Sequence, residues 1–469
     1  MNAAELRAAL SEMVAARSEE VEQMVRQWGE ARAGEKDSRL DPLEVQVREW
    51  VLSMGRACME RLLHGIAEGS AQQAKGCPQC GGPVHSEGMR GATVHTSMGD
   101  VPYGRRYFAC GRCQEGFCPL DVELGLDEQH NSPALQRMAS LAGTVGPFEK
   151  GSELLGEIGS IPMGAQKVEQ ITEQAGGRAE AWLNARQQRA LAGLEVPAGP
   201  PAERLYVEAD GTTVPMRAPA GQGGQPGDRG ARSASQRTPG KVEYKEVKLG
   251  AIFEAKVGEE GKPESGTKTY TGTFGDAQTC IQQVRAEAKA RGSDAAKEVV
   301  VLCDGGTWLW NRLPEAFPGK KVTQILDCRH PEERLTEIGK RVFGEGSERA
   351  REWSEGQRRL LHEGMTREMI SAIEQLKPKR KEAKEYVRQS LGYLRDNEHR
   401  MNYGELRAQG YFIGSGVIES SCKHVVGARF KQAGMSWSPD HSPKVLALRV
   451  CRASGWWNPF WSQSPRAAA

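Results

Sequence analysis

Apolar residues recur at three- and four-residue spacing over residues 3–28 (Leu6, Leu10, Met13, Val14) and 42–68 (Val45, Val47, Val51, Met54, Leu62, Leu63). This spacing predicts two amphipathic helices around the Gly34–Pro42 break, forming a helical arm. The period then shortens to two: Thr93–Met98 and Val101–Phe108 read as strands joined at the turn dipeptide Gly99-Asp100. From Ser132 the helical period returns over Ser132–Leu141, Phe148–Ile158 and, after Pro162, from Ala165 to about Ala190. Three helices with short Gly/Pro breaks match a helix-turn-helix-like unit, a pattern that many small helical bundles share.

A Pro/Gly-rich linker at Pro197–Pro201 precedes a change of character. Strand-like text covers Leu205–Val214, Val242–Ala255 and Thr267–Phe274; a helix follows over about Asp276–Arg291, then buried-strand runs at Glu298–Asp304 and Lys321–Asp327. Residues 215–241, rich in Gly, Pro, Ser and Arg, are expected to form a mobile loop. This order suggests a mixed sheet with helices, the layout of an RNase H-like fold. Residues 332–408 are helical and charged, and Gly414-Ser415-Gly416 opens a final helix through about Lys431, capped by Ser415 and stopped at Gly434.

The expected fold class is therefore multidomain α+β or α/β. Its parts are a helical arm (1–72), a zinc ribbon (73–125) read from the CxxC pairs Cys77/Cys80 and Cys110/Cys113, and a helix-turn-helix-like region (130–196). A mixed-sheet core (202–331) follows, then an α-helical insertion (332–410) and the closing helix of the core (411–455).

The 469-residue length agrees with roughly three domains at about 150 residues each. A formal charge of +2 argues neither for nor against nucleic acid, since local patches matter more than the sum. No window approaches 18 uninterrupted apolar residues and the first 20 residues lack an apolar signal stretch, so neither export nor a membrane partner is expected and a cytoplasmic location is the default. Eleven cysteines fall well short of a disulfide scaffold, but four of them form two CxxC pairs.

Those four, Cys77, Cys80, Cys110 and Cys113, give two thiolate pairs with 29 residues between them, filled by the predicted hairpin. Two-residue chelate loops let both sulfurs of a pair meet one tetrahedral ion, so a structural zinc site is expected; Cys118 and His85 remain alternative ligands. A second constellation is acidic. Asp210 ends the apolar run LYVEAD before Gly211, and Asp304 ends VVVLCD before Gly305-Gly306, places where open backbone lets a ligand approach. Glu419 lies in the first turns of the final helix, with Lys423 four residues on as a surface partner. Three carboxylates converging on one site would hold two divalent cations for phosphodiester chemistry.

The chain carries together the motifs Asp210-Gly-Thr, Asp304-Gly-Gly-x-Trp308, Asp327-x-x-His330 with Glu332-Glu333-x-Leu335, and Gly414-Ser-Gly-x-x-Glu419-Ser followed by Arg429-x-Lys431-x-x-Gly434-Met-x-Trp437. In combination they resemble ISKra-type bacterial insertion-sequence transposases, which are DDE enzymes with an RNase H-like catalytic domain. The resemblance covers about Cys77 to Trp437. It implies Asp210, Asp304 and Glu419 as catalytic residues and as ligands of Mg²⁺ or Mn²⁺, with His330 auxiliary, orienting a phosphate or a triad member. It implies an α-helical insertion before the glutamate, and DNA contacts from Lys423, Arg429, Lys431 and Trp437. Double-stranded DNA (transposon ends and target) and further copies of the chain are the implied partners, in a cytoplasmic, nucleoid-associated setting. Net charges of +4 over 376–400, +4 over 211–241 and +3 over 414–451 suit a polyanion. The rival expectations are a transposase-derived DNA-binding protein without turnover and an RNase H-like nuclease that cuts without joining.

Overall fold

The structure is a computed structural model that describes residues 7–8, 11–12, 15, 17–34, 40–68, 74–195, 197, 200–217, 242–257 and 263–463. The loop predicted at 215–241 lies outside the described residues from 218 onward, as do Leu6, Leu10, Met13 and Val14 of the arm. The chain forms two compact units, one of residues 1–175 with 461–469 and one of residues 176–460.

In the first unit, helices α1 (Ser18–Gly34) and α2 (Asp41–Glu68) precede a three-stranded antiparallel sheet in the order β1 (Val84–Thr96), β2 (Gly99–Cys110), β3 (Gly116–Phe117). The register pairs Thr96 with Gly99 and Val84 with Cys110. The hairpin therefore turns at Ser97-Met98 and not at Gly99-Asp100. Gly99, with φ +112, begins the return strand in a conformation that only glycine adopts without strain. Leu63 of α2, Val94, Val101, Tyr103 and Leu120 close a small core over this hairpin. Helices α3 (Pro133–Val145), α4 (Phe148–Glu157) and the start of α5 (Ala165–Leu191) enclose a second core of Leu135, Ala139, Leu155, Val168 and Ile171. Ser132 caps α3 by accepting from Leu135 N–H, which fixes the predicted start.

The second unit is built on a five-stranded mixed sheet. Strands β4 (Arg204–Arg217), β5 (Val242–Val257), β6 (Pro263–Thr273), β7 (Glu298–Cys303) and β8 (Val322–Leu326) lie in the order β6-β5-β4-β7-β8. The pairs β4/β5 and β5/β6 are antiparallel, whereas β4/β7 and β7/β8 are parallel. Every residue of β7 is buried, which is why Val299–Cys303 is an unbroken apolar run with no alternation; Glu298 at its start is the one charged residue of the strand. Between β6 and β7 runs α6 (Ala277–Ala290), capped by Asp276.

After β8 comes an all-helical block: α7 (Arg329–Phe343), α8 (Glu348–Glu363), α9 (Thr366–Glu374), α10 (Lys381–Asp396) and α11 (Tyr403–Ala408). Its apolar faces, with Leu335, Leu361, Met369 and Leu394, join the core of the sheet. The chain then returns as α12 (Gly416–Ser421), widens into a π turn over Cys422–Gly427, ends helically at Ala428–Phe430, and reaches Gly434 at φ +74. A further helix, α13 (Ser442–Ala453), packs against β6 in a second core with Val214, Val247, Leu249 and Phe430. Among the described residues no helix is long and apolar enough to cross a membrane.

Candidate functional site

The parallel strands β4 and β7 lie side by side, and the two aspartates sit where they run out. Asp210 is on β4 opposite Leu249, beyond the last β4/β7 pair at Val207–Val301; Asp304 follows β7 directly. Glu419 is in the first turn of α12. All three line one cleft of about 190 Å³, together with Arg329, His330, Glu333 and Ser415. The sequence-predicted triad and His330 are thus brought together from separations of 94 and 115 residues.

Each carboxylate is already held. Asp210 Oδ1 accepts from Gly211 N–H at 2.6 Å, and the Cys422 thiol lies 3.5 Å from its Oδ2. Burial pushes its pKa up, the Gly211 bond opposes this, and the negative charge of Asp304 adds to the rise. Asp304 Oδ1 accepts from Gly306 N–H at 3.1 Å. Glu419 pairs with Arg329 at 3.2 Å, and its partner is thus Arg329 and not Lys423. The carboxylate oxygens do not close to within 4.8 Å of one another as a set, in contrast to the four-cysteine cluster. They share a cleft without collapsing into a coordination sphere.

Two buried acids beneath the cleft hold the start of α12. Asp327, fully buried at the end of β8, accepts from the Ser415 hydroxyl at 2.8 Å and has His330 Nε2 at 3.7 Å. Ser415 therefore does not cap the helix through its side chain, as predicted from sequence; its hydroxyl is spent on Asp327. Glu208, also fully buried, accepts from Ile418 N–H at 2.7 Å through Oε2, while its Oε1 has no hydrogen-bond partner. Burial pushes its pKa up to about 8, with the negative charges of Asp327 and Glu419 adding to the rise. Sequence reasoning missed Glu208. The available signal was the two-residue period of a strand, which puts Glu208 on the same face as Asp210.

The residues expected to touch DNA divide into two groups. Lys423 and Lys431 are exposed, and Lys431 Nζ donates to Thr212 Oγ1. Arg429 and Trp437 are corrections: they are 1% and 6% exposed, with the guanidinium 4.5 Å from the indole centroid. Trp437 adds to the end of β4 through backbone bonds to Pro215 and Arg217. Both are occupied in the chain's own interior, so neither presents a surface to a phosphate or base.

In the first unit, Cys77, Cys80, Cys110 and Cys113 form a cluster able to hold one metal ion. Sulfur separations are 3.6 Å for Cys77–Cys113, 3.5 Å for Cys80–Cys110 and 3.5 Å for Cys80–Cys113. A regular tetrahedron with metal–sulfur bonds of about 2.3 Å has edges of about 3.8 Å, so the sulfurs already stand close to that spacing. Backbone N–H groups of Cys113 and Arg112 directed at Cys110 pull its thiol down to about 6. Cys118 is buried outside the cluster, and His85 is exposed beside Glu87. The alternatives left open by the spacing are thereby removed from the ligand set.

No protein-family model matches the chain, and no characterised protein matches it.

Proposed function

We propose that this chain is a DDE-type transposase of an insertion sequence, a metal-dependent enzyme that cleaves DNA at transposon ends and joins the freed strand to a target. The reading includes an RNase H-like catalytic core interrupted by the α-helical insertion at 332–410. The observation that carries it is the meeting of Asp210, Asp304 and Glu419 in one cleft at the open end of parallel strands. The mixed sheet, with three antiparallel strands followed by two parallel ones and an all-helical block before Glu419, supports the core assignment.

The donor set is all oxygen and acidic, which suits Mg²⁺ or Mn²⁺ and not a soft metal. Asp210, Asp304 and Glu419 would hold it; Mg²⁺ keeps several waters and takes few protein ligands, so an open arrangement fits. Bound there, divalent cations supply activation of a water or 3′-hydroxyl and stabilisation of the leaving oxygen. The chain's own residues do the holding: Glu208 and Asp327 fix the first turn of α12, and Arg329 keeps the Glu419 carboxylate at the cleft. His330, which lines the cleft beside Asp327, would orient a phosphate or a triad member.

Exposed Lys377, Lys379, Arg380, Lys381 and Lys384 of the helical block, with Lys423 and Lys431, supply positive charge for the DNA backbone. The four-cysteine cluster is assigned to structural zinc, closed to further ligands and stapling a hairpin with a small core. In this reading two active sites act on two ends, which fits a homo-oligomer of the chain. Asp304→Asn tests the reading. It is expected to abolish strand cleavage while end binding, followed by gel shift, persists. Cleavage by the variant overturns the triad. End binding without cleavage by the unmodified chain in any divalent metal favours the DNA-binding reading, and cleavage without joining favours a nuclease.

A further inference from the structure

The turn that carries Asp304 is packed from outside the sheet. Gly305 stands against the ring of Tyr393, which comes from α10 in the helical block. A Cβ built at Gly305 would lie 2.5 Å from Tyr393 Cζ and closer still to Cε2 and Oη, whereas real Cβ atoms essentially never come within 3.0 Å of another heavy atom. Gly305 does not adopt a positive φ, so the glycine answers to the ring and not to a backbone conformation.

The ring itself has little freedom. Tyr393 packs against the core of the sheet, and the Arg334 guanidinium of α7 lies over it at 3.9 Å from the centroid. Burial pushes its phenol up to about 12; Arg334 opposes this and the Asp304 carboxylate adds to it. Within the turn, Gly306 N–H donates to Asp304 Oδ1, and the Gly306 carbonyl accepts from Leu309 N–H at 3.0 Å and from Trp310 N–H at 3.4 Å. These bonds engage Gly306 and leave Gly305, a residue of wide backbone freedom, to be restrained by the rigid ring beside it.

We propose that Tyr393 is a positioning residue for Asp304: the helical block fixes the Asp304 carboxylate by pressing an aromatic ring onto Gly305. The inference rests on the reading of Asp304 as a metal ligand. It gives the insertion a part in the active site, since α7 and α10 together hold the turn.

The test uses the full chain, with Mn²⁺ affinity from isothermal titration and Mn²⁺-dependent cleavage of end DNA as readouts. Thermal melting and end binding serve as folding checks. Tyr393→Phe keeps the ring and is expected to behave as the unmodified chain. Tyr393→Ala and Gly305→Ala are each expected to weaken Mn²⁺ binding and to slow cleavage, by up to about 100-fold for a misplacement near 1 Å. Combining Gly305→Ala with Tyr393→Ala removes the overlap, so the double variant is expected to cleave faster than Gly305→Ala alone. Wild-type Mn²⁺ affinity and cleavage in Tyr393→Ala, while Asp304→Asn abolishes both, would overturn the positioning role and leave the triad standing. Unchanged behaviour of Asp304→Asn would instead overturn the reading beneath it. If Tyr393→Ala melts early, Gly305→Ala, which leaves every core side chain in place, decides: full activity in that variant overturns the proposal.

Discussion

Glu208 and Arg429 show how a residue's neighbours decide its work. In LYVEAD, Glu208 reads as one polar interruption of an apolar strand; in the fold it is the acceptor for Ile418 N–H at the start of the helix bearing Glu419. Glu208→Leu leaves that N–H buried and unsatisfied and is expected to cost about 1–3 kcal/mol, whereas Glu208→Gln keeps an acceptor oxygen and costs much less. Urea unfolding of the two variants measures the difference. Arg429 sits in a basic motif, which in sequence looks the same as a DNA contact; only three-dimensional burial against Trp437 separates the two. Arg429→Ala is expected to lose about 2 kcal/mol of stability through the desolvated cation–aromatic contact. It should leave the salt dependence of DNA binding unchanged, while Lys423→Ala and Lys431→Ala each lower the slope of log affinity against log salt by about 1. A reduced slope for Arg429→Ala, with unaltered stability, would contradict its assignment to the interior.

The elements were legible where one signal dominated. The unbroken apolar run gave β7, the change of period gave β1 and β2, and Ser132 and Asp276 marked helix starts that the backbone adopts. What failed were details that depend on a partner from elsewhere in the chain. Gly99-Asp100 is a good turn dipeptide, yet cross-strand pairing of Thr96 with Gly99 places the turn two residues earlier. Ser415 is a good cap, yet Asp327 claims its hydroxyl. The union of strands in the second unit also depends on such partners. Glu298, at the start of β7, accepts from Lys321 at 2.8 Å, from Thr323 on β8 at 2.5 Å and from Tyr411 at 2.7 Å, with Arg204 of β4 at 3.6 Å. Burial raises its pKa, but the bonds from Lys321, Thr323 and Tyr411 outweigh it and the carboxyl lies below its ordinary value. A lowered folded pKa means that this stabilisation is present above the ordinary glutamate range near pH 4.3 and is lost as pH falls through the folded value. Glu298→Gln is therefore expected to lower the melting temperature at pH 7, with the gap closing below about pH 4. A gap that stays constant from pH 7 to pH 3 would show that the charge of Glu298 contributes nothing.

For the molecule as a whole, the sequence held both constellations but neither geometry. The cysteine set was specific because two chelate loops and a hairpin leave few other arrangements, and the four sulfurs meet as expected. Cys77→Ser combined with Cys80→Ser is expected to abolish zinc content by elemental analysis and to speed hydrogen exchange along β1 and β2. Retained zinc would refute the ligand set. The carboxylates were harder to read, since Asp-Gly pairs make ordinary turns and a helical glutamate is usually a solvated one. Only the sheet order, which sets β4 beside β7 with α12 packed on β4, makes the three one site. In the proposed function this site cuts and joins DNA with divalent metal. The measurement that tests it most directly is incubation of the purified chain with labelled DNA bearing the inverted repeats that flank its own gene and a target plasmid, in Mg²⁺ or in EDTA. Joined products in Mg²⁺ alone, absent with Glu419→Gln, are the predicted result; binding with neither cleavage nor joining in any metal would contradict it.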